Sequence, residues 1–281
     1  MKEFRGGTAV VTGAASGFGR VTSLALAERG MHVIAADIDL EGAERTAARA
    51  GELGGKGSAR WVDVADAAAM EEFAAAVEEA HGVPDLVINN AGIAVMGPFL
   101  ETGAEDWDEI IGVNLVGVVN GSRSFGRRMA ERNRSLPRAR RSGHIVNIAS
   151  AASYQPVRSL SSYCATKAAV RMLSECMRAD LARDGIKVSC ICPGFSGTNI
   201  AKNARVASGV SAEKAAKVRK WSEAGLRMRH YPPEKVAARI IKAIERDEAV
   251  VSINLEGHLS HLVSRVSPSL GRLVARVPAP F

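Results

Sequence analysis

The sequence predicts an α/β protein built on a doubly wound parallel sheet. Three observations predict it. Short Val- and Ile-rich runs alternate with Ala-rich stretches of helical length. Strands rich in Val and Ile, separated by helices of this length, imply a parallel sheet covered on both faces. The 281 residues, 47% of them hydrophobic, suffice for one large buried core.

The strands read, in order, as Thr8–Thr12, His32–Ala36, Ser58–Val62, Asp85–Asn89, His144–Ile148, Lys187–Cys192 and, last, Ala249–Asn254. Helical windows fall between them at Gly17–Arg29, Leu40–Leu53, Ala67–Ala80, Glu105–Met129 and Leu160–Arg183. Asp39 stands where a helix N-cap belongs, and Gly30 and Gly185 where helices end in a left-handed residue. Right-handed crossovers between such strands wind the sheet both ways from its first strand. The expected result is a single Rossmann-like domain with seven parallel strands in the order 3-2-1-4-5-6-7.

Composition narrows the function. There are 37 Lys and Arg against 30 Asp and Glu, a net charge of +7, and the Arg-rich stretch Glu131–Arg141 contributes +4 of it. That stretch reads as a solvated insertion, and no interleaved aromatics point to nucleic acid. No apolar run approaches the ~20 residues of a membrane span, and the charged start, Met1 to Gly7, does not read as a secretory signal. Of the four cysteines none lies in a C-x-x-C, and Cys190 and Cys192 share one strand face, a poor geometry for bridging each other. Reduced, buried thiols and a cytoplasmic setting are expected. His258 and His261 lack a third partner, so no metal site is read.

Between the first strand and first helix the chain reads Thr12-Gly13-Ala14-Ala15-Ser16-Gly17-Phe18-Gly19. Glycines let backbone approach a pyrophosphate without Cβ clashes, and the helix N-terminus offers free N–H groups and a partial positive charge. The second strand ends at Asp37, 18 residues after Gly19. An acid there accepts from ribose hydroxyls and repels a 2′-phosphate, which favours NAD over NADP. Tyr163 and Lys167, four apart on one helix, leave the same face, and an ammonium beside a phenol lowers its pKa from ~10. Ser150 follows the fifth strand, where a hydroxyl could hold a substrate oxygen, with Ser153 as a rival.

Taken in register, these motifs resemble the short-chain dehydrogenase/reductase family from Thr8 to about Gly194. The T-G-x-x-x-G-x-G turn is Thr12 to Gly19; N-N-A-G is Asn89-Asn90-Ala91-Gly92; Y-x-x-x-K is Tyr163 and Lys167; P-G with a later threonine is Pro193-Gly194 and Thr198. The resemblance implies dinucleotide contacts at Gly13, Ser16, Gly17, Phe18, Gly19, Asp37, Ile38, Asp63, Val64, Asn90, Ala91, Gly92, Tyr163, Lys167, Pro193, Gly194 and Thr198. It also implies a tetrad of Asn114, Ser150, Tyr163 and Lys167 that interconverts a secondary alcohol and a ketone. In that scheme Tyr163 is the acid/base, Lys167 holds the nicotinamide ribose, Ser150 polarises the substrate oxygen and Asn114 anchors a water. A homotetramer or homodimer on the helices bearing Asn114 and Tyr163 is implied too.

Phe99, Trp107, Phe195, Trp221 and Met228 hint at a hydrophobic substrate under a loop at 195–230. Residues 1–256 then make the catalytic domain and 257–281 an amphipathic extension. In that extension Leu259, Leu262, Val263 and Val266, then Leu270, Leu273, Val274 and Val277, fall at helical spacing among Arg265, Arg272 and Arg276. The favoured expectation is packing over the substrate loop or a neighbouring subunit, ahead of contact with a membrane surface. Two other readings compete with oxidoreduction: epimerase or dehydratase chemistry on the same scaffold, and a non-catalytic NAD-binding sensor.

Overall fold

The computed structural model describes residues 3–194, 204–217 and 231–276. Its strands are β1 (Thr8–Thr12), β2 (His32–Asp37), β3 (Lys56–Trp61), β4 (Leu86–Asn89), β5 (Val95–Met96), β6 (His144–Ile148), β7 (Lys187–Pro193), β8 (Arg205–Val206) and β9 (Val250–Ile253). Seven form one parallel sheet in the order β3-β2-β1-β4-β6-β7-β9. With the two-residue strands β5 and β8 set aside, that is the expected order. β5 and β8 pair with each other as a separate parallel ribbon, Val95 opposite Arg205. Two residues each are too short for alternation to show in the sequence.

Alternation along the strands divides the core in two. Ala9 and Val11, Val33 and Ala35, and Leu86 and Ile88 face one side, where α1 (Gly17–Ala27), α2 (Leu40–Glu52) and, from the far end of the chain, Val236, Ile240 and Ile244 meet them. Val10, Ile34, Val87 and Ile145 face the other side, against Met70, Phe73 and Val77 of α3 (Ala67–His81) and more distant helices. At the sheet edge α2 lies so close to β3 that a Cβ on Gly57 would stand 2.0 Å from the Ala47 carbonyl oxygen.

The predicted helix Glu105–Met129 is three pieces. α4 (Ala104–Ile111) runs into a π turn at Gly112–Val116, and α5 (Gly117–Arg134) follows. The extra residue in the turn carries Asn114 inward, a use typical of π turns at functional sites. α5 extends into the Arg-rich stretch, so that stretch is not wholly a solvated insertion. Arg132 pairs with Asp85 at 3.5 Å and donates to the Val83 carbonyl, and Arg141 donates to the Arg183 carbonyl at 3.0 Å. α6 (Ser161–Leu181) carries Tyr163 and Lys167. The chain continues through α7 (Pro233–Arg246), α8 (Asn254–Val266) and α9 (Pro268–Val274). Among the described residues no helix is long and apolar enough to cross a membrane.

Local signals held where backbone geometry demanded them. Asp39 caps α2 by accepting from the Gly42 N–H at 2.9 Å, and Gly30 and Gly185 lie at φ +81° and +73°. The thiols are less uniform than expected. Cys190 and Cys192 are buried with sulfurs 3.9 Å apart, but Cys176 is exposed, and all four cysteines are free.

Candidate active site

The predicted residues gather at the C-terminal ends of β1, β2, β4, β6 and β7, where open α/β sheets hold ligands. After Thr12 the chain turns through Gly13 at φ +65° and Gly17 at φ +54°. A Cβ on Gly19 would lie 2.1 Å from the Gly13 carbonyl oxygen, and one on Gly13 would lie 2.8 Å from Ala91 Cα. No side chain larger than hydrogen fits either position. The fold around the turn is locked by Thr12 and Asn90. The Thr12 hydroxyl accepts from the N–H groups of Asn90 and Ala91 at 3.0 and 3.1 Å, and the Asn90 amide donates to the carbonyls of Thr12 and Gly13.

These residues fit a dinucleotide. Ser16, at the N-cap of α1, makes no side-chain capping bond, and the first turn of α1 holds no acid. The positive end of the helix is therefore open to a phosphate. Phe18 packs on the apolar core below the turn. At the end of β2 the Asp37 carboxylate accepts from the Ala15 N–H at 2.9 Å and the Asp39 N–H at 3.0 Å. Beside it Ile38 is exposed. Asp63 accepts from the Ala65 N–H at 2.9 Å, and Val64 is buried against Gly117. Gly194, at the end of β7 beyond Pro193, lies against Asn254, whose Oδ1 would be 2.1 Å from a Cβ there. Thr198 lies outside the described residues, as do Phe195, Trp221 and Met228.

The tetrad residues converge. Lys167 is buried, and its Nζ donates to the Ile148 carbonyl at 2.9 Å, at the end of β6. The same ammonium stands over the Tyr163 ring, 5.8 Å from its centroid. Gly92 touches both neighbours: a Cβ there would be 3.2 Å from Asn114 Oδ1 and 3.4 Å from Lys167 Nζ. Asn114 is fully buried. Its Oδ1 accepts from the Ile93 N–H at 2.8 Å, and its Nδ2 donates to the Ile93 carbonyl and to Thr166 Oγ1. Of the two serine candidates, Ser153 turns away to Cys192, at 3.7 Å, whereas the Ser150 hydroxyl, which accepts from the Ala152 N–H at 3.1 Å, lies near enough to Tyr163 to act on its phenol.

Electrostatics corrects one expectation. The Tyr163 phenol is pushed up to about 12, not down, because burial outweighs the opposing effect of the Ser150 hydroxyl. Burial also brings the Lys167 ammonium down to about 8. Both neutral forms are favoured for one reason, the removal of water. An ammonium committed to a backbone carbonyl and facing the ring does not offset that.

Sequence reasoning missed the carboxylate beneath this site. Asp106 is 1% exposed, yet it accepts from the N–H groups of Gly103 and Ser208, from Ser208 Oγ at 2.8 Å and from Arg205 at 2.9 Å. Burial would raise its carboxyl, but those donors hold it below the usual range. It thereby fastens β8 to the start of α4, and Val95, Ala207 and Val210 of the ribbon region pack with Ile110 and the Tyr163 ring. An acid three residues after Gly103 was the available signal.

Comparison with known proteins places the chain. The family model for short chain dehydrogenases matches residues 7–208. The chain is 43% identical over 268 residues to EphD of Mycobacterium tuberculosis, named as an oxidoreductase; the match covers 95% of this chain and 44% of that protein, so the chain spans less than half the relative's length. It is 35% identical to SadH of the same organism, also named as an oxidoreductase, over 100% of this chain and 98% of that one. A short-chain dehydrogenase/reductase from Burkholderia phymatum, solved in complex with NAD, superposes with a TM-score of 0.84 at 30% identity, covering 100% of this chain and 99% of that one. The chain belongs to the short-chain dehydrogenase/reductase family of NAD(P)-binding oxidoreductases.

Proposed function

We propose that the chain interconverts a secondary alcohol and a ketone, with Tyr163 exchanging the hydroxyl proton. The observation that carries the reading is the meeting of Ser150, Tyr163 and Lys167 at the end of β6, with only β4 between that strand and β1, which leads into the glycine turn. When bound, the dinucleotide supplies the hydride acceptor or donor at its nicotinamide ring. The chain's own groups move the proton. In reduction Tyr163, protonated at neutral pH, gives its proton to the oxygen of the nascent alcohol, and Ser150 donates a hydrogen bond to that oxygen. In oxidation the proton returns to Tyr163. Lys167, cationic below about 8, would hold the nicotinamide ribose hydroxyls. Asn114 has spent both Nδ2 hydrogens on Ile93 and Thr166, so its part is to fix the backbone beside the lysine, and a water there would be held by the second lone pair of its Oδ1.

NAD is the proposed cofactor, because Asp37 presents a carboxylate fixed by two backbone donors where a 2′-phosphate would come. Residues 1–256 form the reaction unit in this reading, with 195–230 over a hydrophobic substrate. A homodimer or homotetramer would use the apolar groove between α5 and α6, lined by Val119, Gly126, Ala130, Leu173, Met177 and Leu181. The test is turnover of a panel of hydrophobic secondary alcohols followed by NADH absorbance. The expected outcome is kcat/KM with NAD at least about 10-fold above that with NADP, narrowed in Asp37→Ser. NADP preferred by the wild type would refute the Asp37 assignment.

A further inference from the structure

The C-terminal helices carry their polarity inside out. On α8 the side facing the protein is small and polar. Gly257 is buried, the Ser260 carbonyl accepts from Gln155 Nε2 at 3.2 Å, and His261 stacks on Tyr154 with ring centroids 4.6 Å apart. The side facing away holds Leu255, Leu259, Leu262 and Val266, spaced by three and four residues and 49–75% exposed. α9 repeats the arrangement. Gly271 lies against Gln155, while Leu270, Leu273 and Val274 are exposed. Among the described residues this stripe is left exposed; most of the 195–230 loop lies outside them. An ordinary surface helix buries its leucines and shows its serines; the reverse marks a face that is covered by something else.

Charge selects the covering. Residues 254–276 contain three arginines, Arg265, Arg272 and Arg276, all exposed, against one acid, Glu256. A second copy docked on this face across a two-fold axis would set two faces of like charge, net +2 each, against one another. An anionic surface would meet them all. The neighbouring loop continues the pattern: Val157 and Arg158 are exposed, and Arg158 reaches the Arg276 carbonyl at 3.5 Å. We infer that α8, α9 and the 156–158 loop form a docking face for an anionic lipid bilayer, with the helices lying in the plane of the headgroups. This inference stands apart from the proposed reaction, since it uses none of the residues assigned to proton transfer or dinucleotide binding.

Co-sedimentation of the full chain with vesicles tests it. On phosphatidylcholine vesicles containing roughly a quarter phosphatidylglycerol the wild type should pellet, and on pure phosphatidylcholine bind about 10-fold more weakly or worse. Leu259→Glu/Leu262→Glu and Arg265→Glu/Arg272→Glu alter exposed side chains and should each reduce binding about 10-fold or more, with dinucleotide affinity and molecular mass unchanged. Wild type left in the supernatant with anionic vesicles overturns the inference. So does pelleting of the variants equal to the wild type. A fall in mass of the leucine variant by light scattering overturns it as well, because the face is then a contact between copies.

Discussion

Lys167 titrates inside the accessible range and Tyr163 outside it. Burial lowers the lysine to about 8 and raises the tyrosine to about 12, so on the neutral side the free enzyme holds a phenol and an ammonium together. The reductive reaction needs that pair. Its kcat/KM for the reduced dinucleotide, which reports groups on the free enzyme, should be flat near neutrality and fall as pH rises through about 8. In Lys167→Met the inflection should vanish together with most of the activity. A wild-type profile flat to pH 10 would remove Lys167 from the binding of cofactor. Asn114 gives a second residue-level prediction. Asn114→Ala leaves both backbone groups of Ile93 without their side-chain partners, at about 1–3 kcal/mol for each unsatisfied group. Thermal unfolding should therefore fall by several degrees, alongside the loss of rate.

Among the elements, those whose spacing follows from backbone geometry were legible in the sequence. The glycine turn could be read because no Cβ fits at Gly13 or Gly19, and a chain that folds this way must show glycine there. Gly19→Ala should cost about 1–3 kcal/mol and sharply weaken dinucleotide binding, measured by urea unfolding and by NADH fluorescence. The central parallel strands were legible for a similar reason: both faces are covered, so strands such as β1 and β4 become Val- and Ile-rich runs. What stayed hidden depends on contacts between residues far apart in the chain. Helical periodicity ran straight through Gly112–Val116, because a π turn adds one residue without changing composition. Nothing in Arg205 or Ser208 announces that they meet Asp106, about a hundred positions earlier. The depressed tyrosine pKa was expected from sequence proximity to a lysine alone, and the structure reverses it because burial acts on both groups. Asp106→Asn should loosen the β5–β8 ribbon behind the Tyr163 ring. A loss of about 1–3 kcal/mol in stability is expected, with KM for substrate rising more than kcat falls.

At the scale of the whole molecule, acid should unfold the protein partly through His144. Its ring is buried in β6 with one nitrogen 2.8 Å from Ser189 Oγ, and burial drops its pKa to about 3. The unfolded chain binds a proton there below about 6.5 and the folded chain does not, so stability falls as pH drops from about 6.5 toward 3. One such group contributes a slope of up to about 1.4 kcal/mol per pH unit, seen as a pH-dependent melting curve that flattens in His144→Gln. The account as a whole joins a half-buried phenol to a dinucleotide seated on the glycine turn. The most direct measurement is Tyr163→Phe, which keeps the ring and removes the transferable proton, assayed for both NADH binding and turnover. The account predicts binding within about threefold of wild type and kcat lowered by about 10²–10⁴. Turnover retained at most of the wild-type rate would contradict it.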